Sequence, residues 1–100
     1  MKVHLVVAHL EKNSFNLALH QVAIDLLESK SIKFNVTDLY MDKFNPVAGH
    51  HDINDFPEQE HFNLAKAQRW AHKNNAFVEP IKIEQSKLAA TDTLILQFPL

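Results

Sequence analysis

The residues best suited to chemistry lie between an apolar run and a helical pattern, and their chemistry is anion binding. Val3, Leu5, Val6, Val7 and Ala8 make a short, nearly continuous apolar stretch; His9 follows, then Asn13, Ser14 and Asn16, with the helical pattern beginning at Phe15. A strand, a polar turn and a helix start in that order place unpaired backbone N–H groups and the positive end of the helix dipole at one spot. Asn13, Ser14 and Asn16 can donate side-chain hydrogen bonds to phosphate oxygens there, and His9 can donate from a ring nitrogen. The plainer reading makes Ser14 a helix cap and His9 a histidine at the edge of the core.

Other chemistries fit less well. The chain has one glycine, Gly49, so neither a GxGxxG nor a GxxxxGK[ST] phosphate loop can be written from it. A receiver domain needs paired acids after its first strand and an aspartate after its third, where this chain has Ala8-His9 and Gln97-Phe98-Pro99. His50, His51, Asp52 and Asp55 cluster in sequence, but adjacent histidines point in different directions and no rigid i, i+4 pair supports them, so no metal is expected. His4, His20, His61 and His72 read as surface or strand-edge residues, and Phe62 and Trp70 as packing residues. Lys82, Glu84 and Lys87 alternate in sign and read as a solvated face.

The elements that must position the turn follow from periodicity. The first apolar run suits a strand buried on both faces of a parallel sheet. A helix is predicted from Phe15 to Ser29, with Phe15, Leu19, Val22 and Leu26 along one face. Asn13 or Ser14 can cap it, and Lys30 follows its C-terminal end. Ile32 to Thr37 alternates apolar and polar residues, which predicts a more exposed strand at an edge. Residues 38–58 show no sustained period and read as a long ordered excursion or a mobile loop. Helical composition returns from Glu58 to Lys73, where Phe62, Ala65, Arg69, Trp70 and His72 can share a surface. Pro80 fits the first turn of a helix from about Glu79 to Ala90 whose inner face is predicted from Ile81, Gln85 and Leu88, with Ile83 and Ala89 nearby. Thr93 to Phe98 is the third strand, its Leu94, Ile95 and Leu96 again suited to an interior position.

Strands alternating with helices predict an α/β fold, a three-layer parallel sheet in the order 2-1-3. The chain reverses direction between strands one and three, and ligands of such sheets collect at that reversal, beyond the carboxyl ends of the strands. The loops there are His9 to Asn16 and Gln97 to Leu100. Strand three has no partner on its outer side, and a five-stranded fold of this kind takes about 150 residues. The 100 residues are therefore expected to be the front part of a longer domain.

Composition bounds the setting. A hydrophobic share of 46% and a net charge of -2 fit one globular domain and argue against nucleic acid as a partner. Cysteine is absent, which removes disulfides and thiol catalysis from this segment and suits a reducing cytoplasm. No apolar run nears the roughly 18 residues of a membrane span, and no leader pattern precedes the first strand.

Several motifs together resemble a known family. Val6-Val7-Ala8-His9 followed by Asn13-Ser14-Phe15-Asn16, then Asp38-Leu39-Tyr40, Phe44-Asn45-Pro46, Glu84-Gln85-xx-Leu88 and Gln97-Phe98-Pro99-Leu100, resemble the NAD(P)H:quinone oxidoreductases with a flavodoxin-like fold, in order and spacing along the whole chain. The resemblance implies a flavodoxin-like domain of which residues 1–100 are the N-terminal part. It implies that FAD, rather than FMN, is the cofactor, with its pyrophosphate and neighbouring parts held by His9, Ser14, Phe15 and Asn16. Asn13 stands where a threonine is common and keeps a donor. Pro99 and Leu100 would begin the loop under the isoalloxazine ring, and Asn63 falls where a glutamine touches the cofactor in some relatives. The implied reaction is two-electron reduction of a quinone by NAD(P)H, in a cytoplasmic homodimer, with the catalytic groups after Leu100. Two competing readings are a non-catalytic flavoprotein subunit that regulates an ion-efflux partner and a cofactor-free fragment.

Overall fold

Residues 1–99 are described by the structure, a computed structural model. The order of elements is β1 (Lys2–Val7), α1 (Phe15–Ser29), β2 (Lys33–Asp38), a single 3-10 turn (His50–Asp52), α2 (Leu64–Asn74), α3 (Glu79–Ala89) and β3 (Thr93–Gln97). The strands form one parallel sheet in the order β2-β1-β3. That is the 2-1-3 order read from the sequence, with β1 in the centre. Leu5 is the midpoint of the register, opposite Val36 on one side and Ile95 on the other.

Two compact units divide the chain: Met1–Phe44 together with the segment from Ser86 on, and Asn45–Gln85. In the first unit, Val3 and Leu5 project from one face of β1 and pack with Leu27 of α1, and Ala23, Ile24, Ile32, Phe34 and Val36 close around them. The face of α1 turned to the sheet is thus Ala23, Ile24 and Leu27. The stripe singled out by spacing is the other one: Phe15 is 77% exposed, and Leu19, Val22 and Leu26 are exposed as well. Both stripes have helical spacing, and contact with the sheet decides between them; spacing alone carries no preference.

The second face of the sheet is polar at its centre. His4, expected at the surface, is 1% exposed because position 4 of a central strand points into the opposite layer. Its Nε2 lies 3.5 Å from Oγ1 of Thr37, which is equally buried. Lys87 of α3 reaches the same place, its Nζ donating to Thr37 Oγ1 at 3.0 Å and to the Val36 carbonyl at 3.3 Å. Lys87 is therefore no member of a solvated face: its stem lies against the protein and its head satisfies buried oxygens. Along α3, Ile81, Lys82, Glu84 and Lys87 are half-buried whereas Ile83, Gln85 and Leu88 are exposed, so Ile81 keeps its predicted inner place while Gln85 and Leu88 give way to Glu84 and Lys87.

The second unit has its own small core of Ile53, Ala67 and Ala71, with Phe56, Phe62, Trp70, Ala76 and Phe77 packed on it. An isolated antiparallel bridge joins Ile53 to Phe77, and Val78 donates to the Asp52 carbonyl. The excursion is thus ordered. Phe56 lies edge-on to Trp70 with ring centres 5.4 Å apart, which confirms a packing role for the tryptophan. Helix α2 begins later than its composition suggested, at Leu64, because the Asn63 side chain caps it there. It buries Ala67 and Ala71 and leaves Ala65, Arg69 and His72 exposed.

Candidate functional site

The carboxyl ends of β1 and β3 lie side by side. Ala8, one residue past β1, donates its N–H to the Gln97 carbonyl at 3.0 Å, which continues the ladder to the tip of β3. From Ala8 the chain turns through His9–Asn13 into α1. Glu11 organises that turn: its carbonyl accepts from Ser14 N–H at 3.1 Å and its carboxylate accepts from Asn13 N–H at 3.0 Å. Ser14 is the N-cap, in extended conformation, and its Oγ accepts from the Leu17 N–H at 3.2 Å.

The hydrogen bonds already made dictate what the turn can offer a ligand. His9 Nδ1 accepts the Glu11 N–H at 3.0 Å, so the neutral ring carries its proton on Nε2 and presents a donor. Asn16 Oδ1 accepts from Gln97 Nε2 at 2.6 Å, which leaves the two N–H groups of the Asn16 carboxamide. Ser14 Oγ already accepts from Leu17, so its own O–H is left to donate. The backbone N–H groups of Phe15 and Asn16 precede the intrahelical ladder and add to the same set. At His9, Ser14 and Asn16 the side-chain acceptor is engaged within the protein and donors remain, as a bound anion requires.

Beside this turn is a groove of about 560 Å³ lined by Lys12, Asn13, Ser14, Leu17, His20 and Asp38, among others. His20 is half-buried, and its Nδ1 is shielded from solvent without a hydrogen-bond partner among the described residues. Burial lowers its pKa below the ordinary histidine value, and the nearby Asp38 carboxylate opposes the shift. Asp38 itself caps the following turn, accepting from Met41 N–H at 3.0 Å.

The other residues singled out from the sequence fall as follows. Gln97 is half-buried while Phe98 and Pro99 are exposed at the tip of β3, and Leu100 lies outside the described residues. Asn63 belongs to the second unit, where its Oδ1 accepts from Lys66 N–H at 3.0 Å as the cap of α2. His50 stacks on Phe62 with ring centres 3.6 Å apart, and His51 faces Asp52 at 3.2 Å. Asp52 spends its second oxygen on the Gly49 N–H. Among the described residues, no group of three His, Asp or Glu side chains is placed to hold a metal ion, and no helix is long and apolar enough to cross a membrane. Sequence reasoning missed Glu11 and Gln97 as site residues. For Gln97 the signal was present, a polar residue closing an apolar strand at the reversal point.

A parallel sheet of order 2-1-3 with a donor-rich turn at the tip of its central strand defines an α/β protein of the open-sheet class. Comparison with known proteins refines this. The family model described as "Flavodoxin-like fold" matches residues 1–100, and the chain belongs to that family. It is 37% identical over 97 residues to NAD(P)H dehydrogenase [quinone] 1 of Rattus norvegicus, covering 96% of this chain and 35% of the relative. It is also 37% identical over 100 residues to ribosyldihydronicotinamide dehydrogenase [quinone] of Homo sapiens, covering 99% and 43% respectively. A crystal structure of a protein described as a quinone reductase from Klebsiella pneumoniae superposes with a TM-score of 0.94 at 34% identity, over 100% of this chain and 39% of that one. The chain thus spans between about a third and a little under half of the length of these relatives, in their N-terminal part.

Proposed function

We propose that this chain is the flavin-binding N-terminal part of an NAD(P)H:quinone oxidoreductase, with the remaining strands of a single flavodoxin-like domain following it. The observation that carries the reading is the polarity of the first turn. His9 Nε2, the Ser14 hydroxyl, the Asn16 carboxamide N–H groups and the backbone amides of Phe15 and Asn16 are donors left over after local acceptors are used. These donors suit phosphate oxygens, and FAD rather than FMN is the cofactor that the family resemblance implies. Asn13 would add a further amide, and Pro99, two residues past Gln97, would with Leu100 support the flat ring, as the resemblance implies. Asn63 is a cofactor contact only by the resemblance; its Oδ1 is held by the α2 cap, so Nδ2 is the atom it would offer.

A bound flavin supplies the two-electron carrier between NAD(P)H and the quinone. The part of this chain is to bind and orient it. The turn fixes the diphosphate by hydrogen bonds and helix dipole, and the strand tips hold the rest at the reversal point of the sheet. A cytoplasmic homodimer is the setting that goes with this reading.

The test is direct. Purified full-length protein should carry FAD, quench its fluorescence on binding, and oxidise NADH or NADPH with a quinone acceptor. His9→Ala and Asn16→Ala should lower flavin content without unfolding the protein, since the first removes one side-chain donor of the turn and the second the two carboxamide donors at the start of α1. Unchanged flavin content in both variants, checked by absorbance of the purified proteins, would contradict the assignment.

A further inference from the structure

We infer that Gln97 is a positioning residue for the diphosphate site, setting which end of the Asn16 carboxamide faces the ligand; this rests on the function proposed above. A carboxamide can present either two N–H donors or one carbonyl acceptor, and what it offers a ligand is decided by what its other end already holds. Here the Asn16 oxygen is held by Gln97 Nε2 at 2.6 Å. Gln97 is itself anchored. It is the last residue of β3, paired with Val7 in the register, and its carbonyl accepts the Ala8 N–H at 3.0 Å.

Gln97 therefore links the two parts of the site. Its backbone belongs to the tip of β3 and its side chain reaches the first turn of α1, 81 positions away in sequence. With the glutamine donating, the Asn16 oxygen is occupied and its two N–H groups are what it has left to offer. With an acceptor at position 97, one Asn16 N–H would be drawn inward and the carbonyl would face the anion. The residue acts through Asn16 and needs no contact with the cofactor.

The experiment is a double-substitution cycle read by affinity for FAD, and separately for ADP as a nucleoside diphosphate without the flavin ring. The proteins are full-length wild type, Gln97→Met, Asn16→Ala and the double variant, with circular dichroism to confirm folding. Gln97→Met removes the donor at similar volume and should weaken both ligands by about tenfold, the scale of one hydrogen bond to a charged group. In the Asn16→Ala background the same change should have no further effect. Gln97→Glu, which keeps the shape but accepts, should weaken binding more than Gln97→Met near neutral pH and recover toward wild type as the carboxyl takes up a proton, an acid dependence that a packing role would not produce. Additive losses in the cycle, or wild-type affinity in Gln97→Glu, would overturn the inference while leaving the proposed function standing. Wild-type protein that binds neither FAD nor ADP would overturn both.

Discussion

Replacing Ser14 by alanine and by glycine separates two roles of one hydroxyl. Its oxygen caps α1 by accepting from Leu17 N–H at 3.2 Å, and under the proposed function its proton goes to the diphosphate. At an N-cap, alanine costs about 1 kcal/mol of stability whereas glycine costs only a few tenths. Both remove the same donor. A hydrogen bond to a charged group contributes about 1.5–3 kcal/mol, so both variants should raise the dissociation constant for FAD by roughly 10- to 150-fold. Ser14→Thr retains both functions and should stay near wild type. Urea titration of the apoprotein gives the stabilities and flavin fluorescence titration of the same preparations gives the affinities. Equal losses of affinity with unequal losses of stability are expected. If Ser14→Gly binds FAD like wild type, so that affinity follows helix stability alone, the hydroxyl is only a cap and the reasoning fails.

Further outcomes follow from the core and from the groove. Leu5→Ala, at a position 1% exposed in the centre of the sheet, should cost about 2–5 kcal/mol in urea unfolding. Lys87→Met keeps the stem but removes the ammonium that donates to Thr37 and Val36; it should destabilise the fold by about 1–3 kcal/mol, seen as a lower denaturation midpoint with unchanged slope. His20 has its pKa lowered by burial, so the folded state favours the neutral ring. As pH falls through the unfolded value of about 6.5 the unfolded chain takes up the proton first, and stability should decline until the folded pKa is reached, then level off. His20→Asn should show a shallower decline over that window in urea titrations at a series of pH values.

The features legible in the sequence are those with local causes. The bounds of α1 follow from its cap and its period, β1 from an unbroken apolar run, and the sheet order from alternation of strands and helices. The donor character of the first turn was readable from residue types, but its completeness was not: the tautomer of His9 depends on Glu11, and the orientation of Asn16 on a residue at the far end of the chain. The misassigned faces have the same origin. Helix α1 carries two apolar stripes, and only the sheet selects Ala23, Ile24 and Leu27 over Phe15, Leu19, Val22 and Leu26. In α3 the choice is turned by Lys87, whose burial depends on Thr37 in β2. His4 is a polar residue where a central strand ordinarily has an aliphatic one, and composition gives no warning of that.

The bond from Ala8 to the Gln97 carbonyl pins the start of the first turn, at the end of the well-buried β1, to the tip of β3. Amide exchange should therefore be slow up to Ala8 and rise sharply within the next few residues. A receptor sprung from so stiff a root holds its shape before anything docks in it. Under the proposed function, loading would then demand little reordering of the chain, and cofactor would be captured late, after synthesis is over, or surrendered and regained without unfolding.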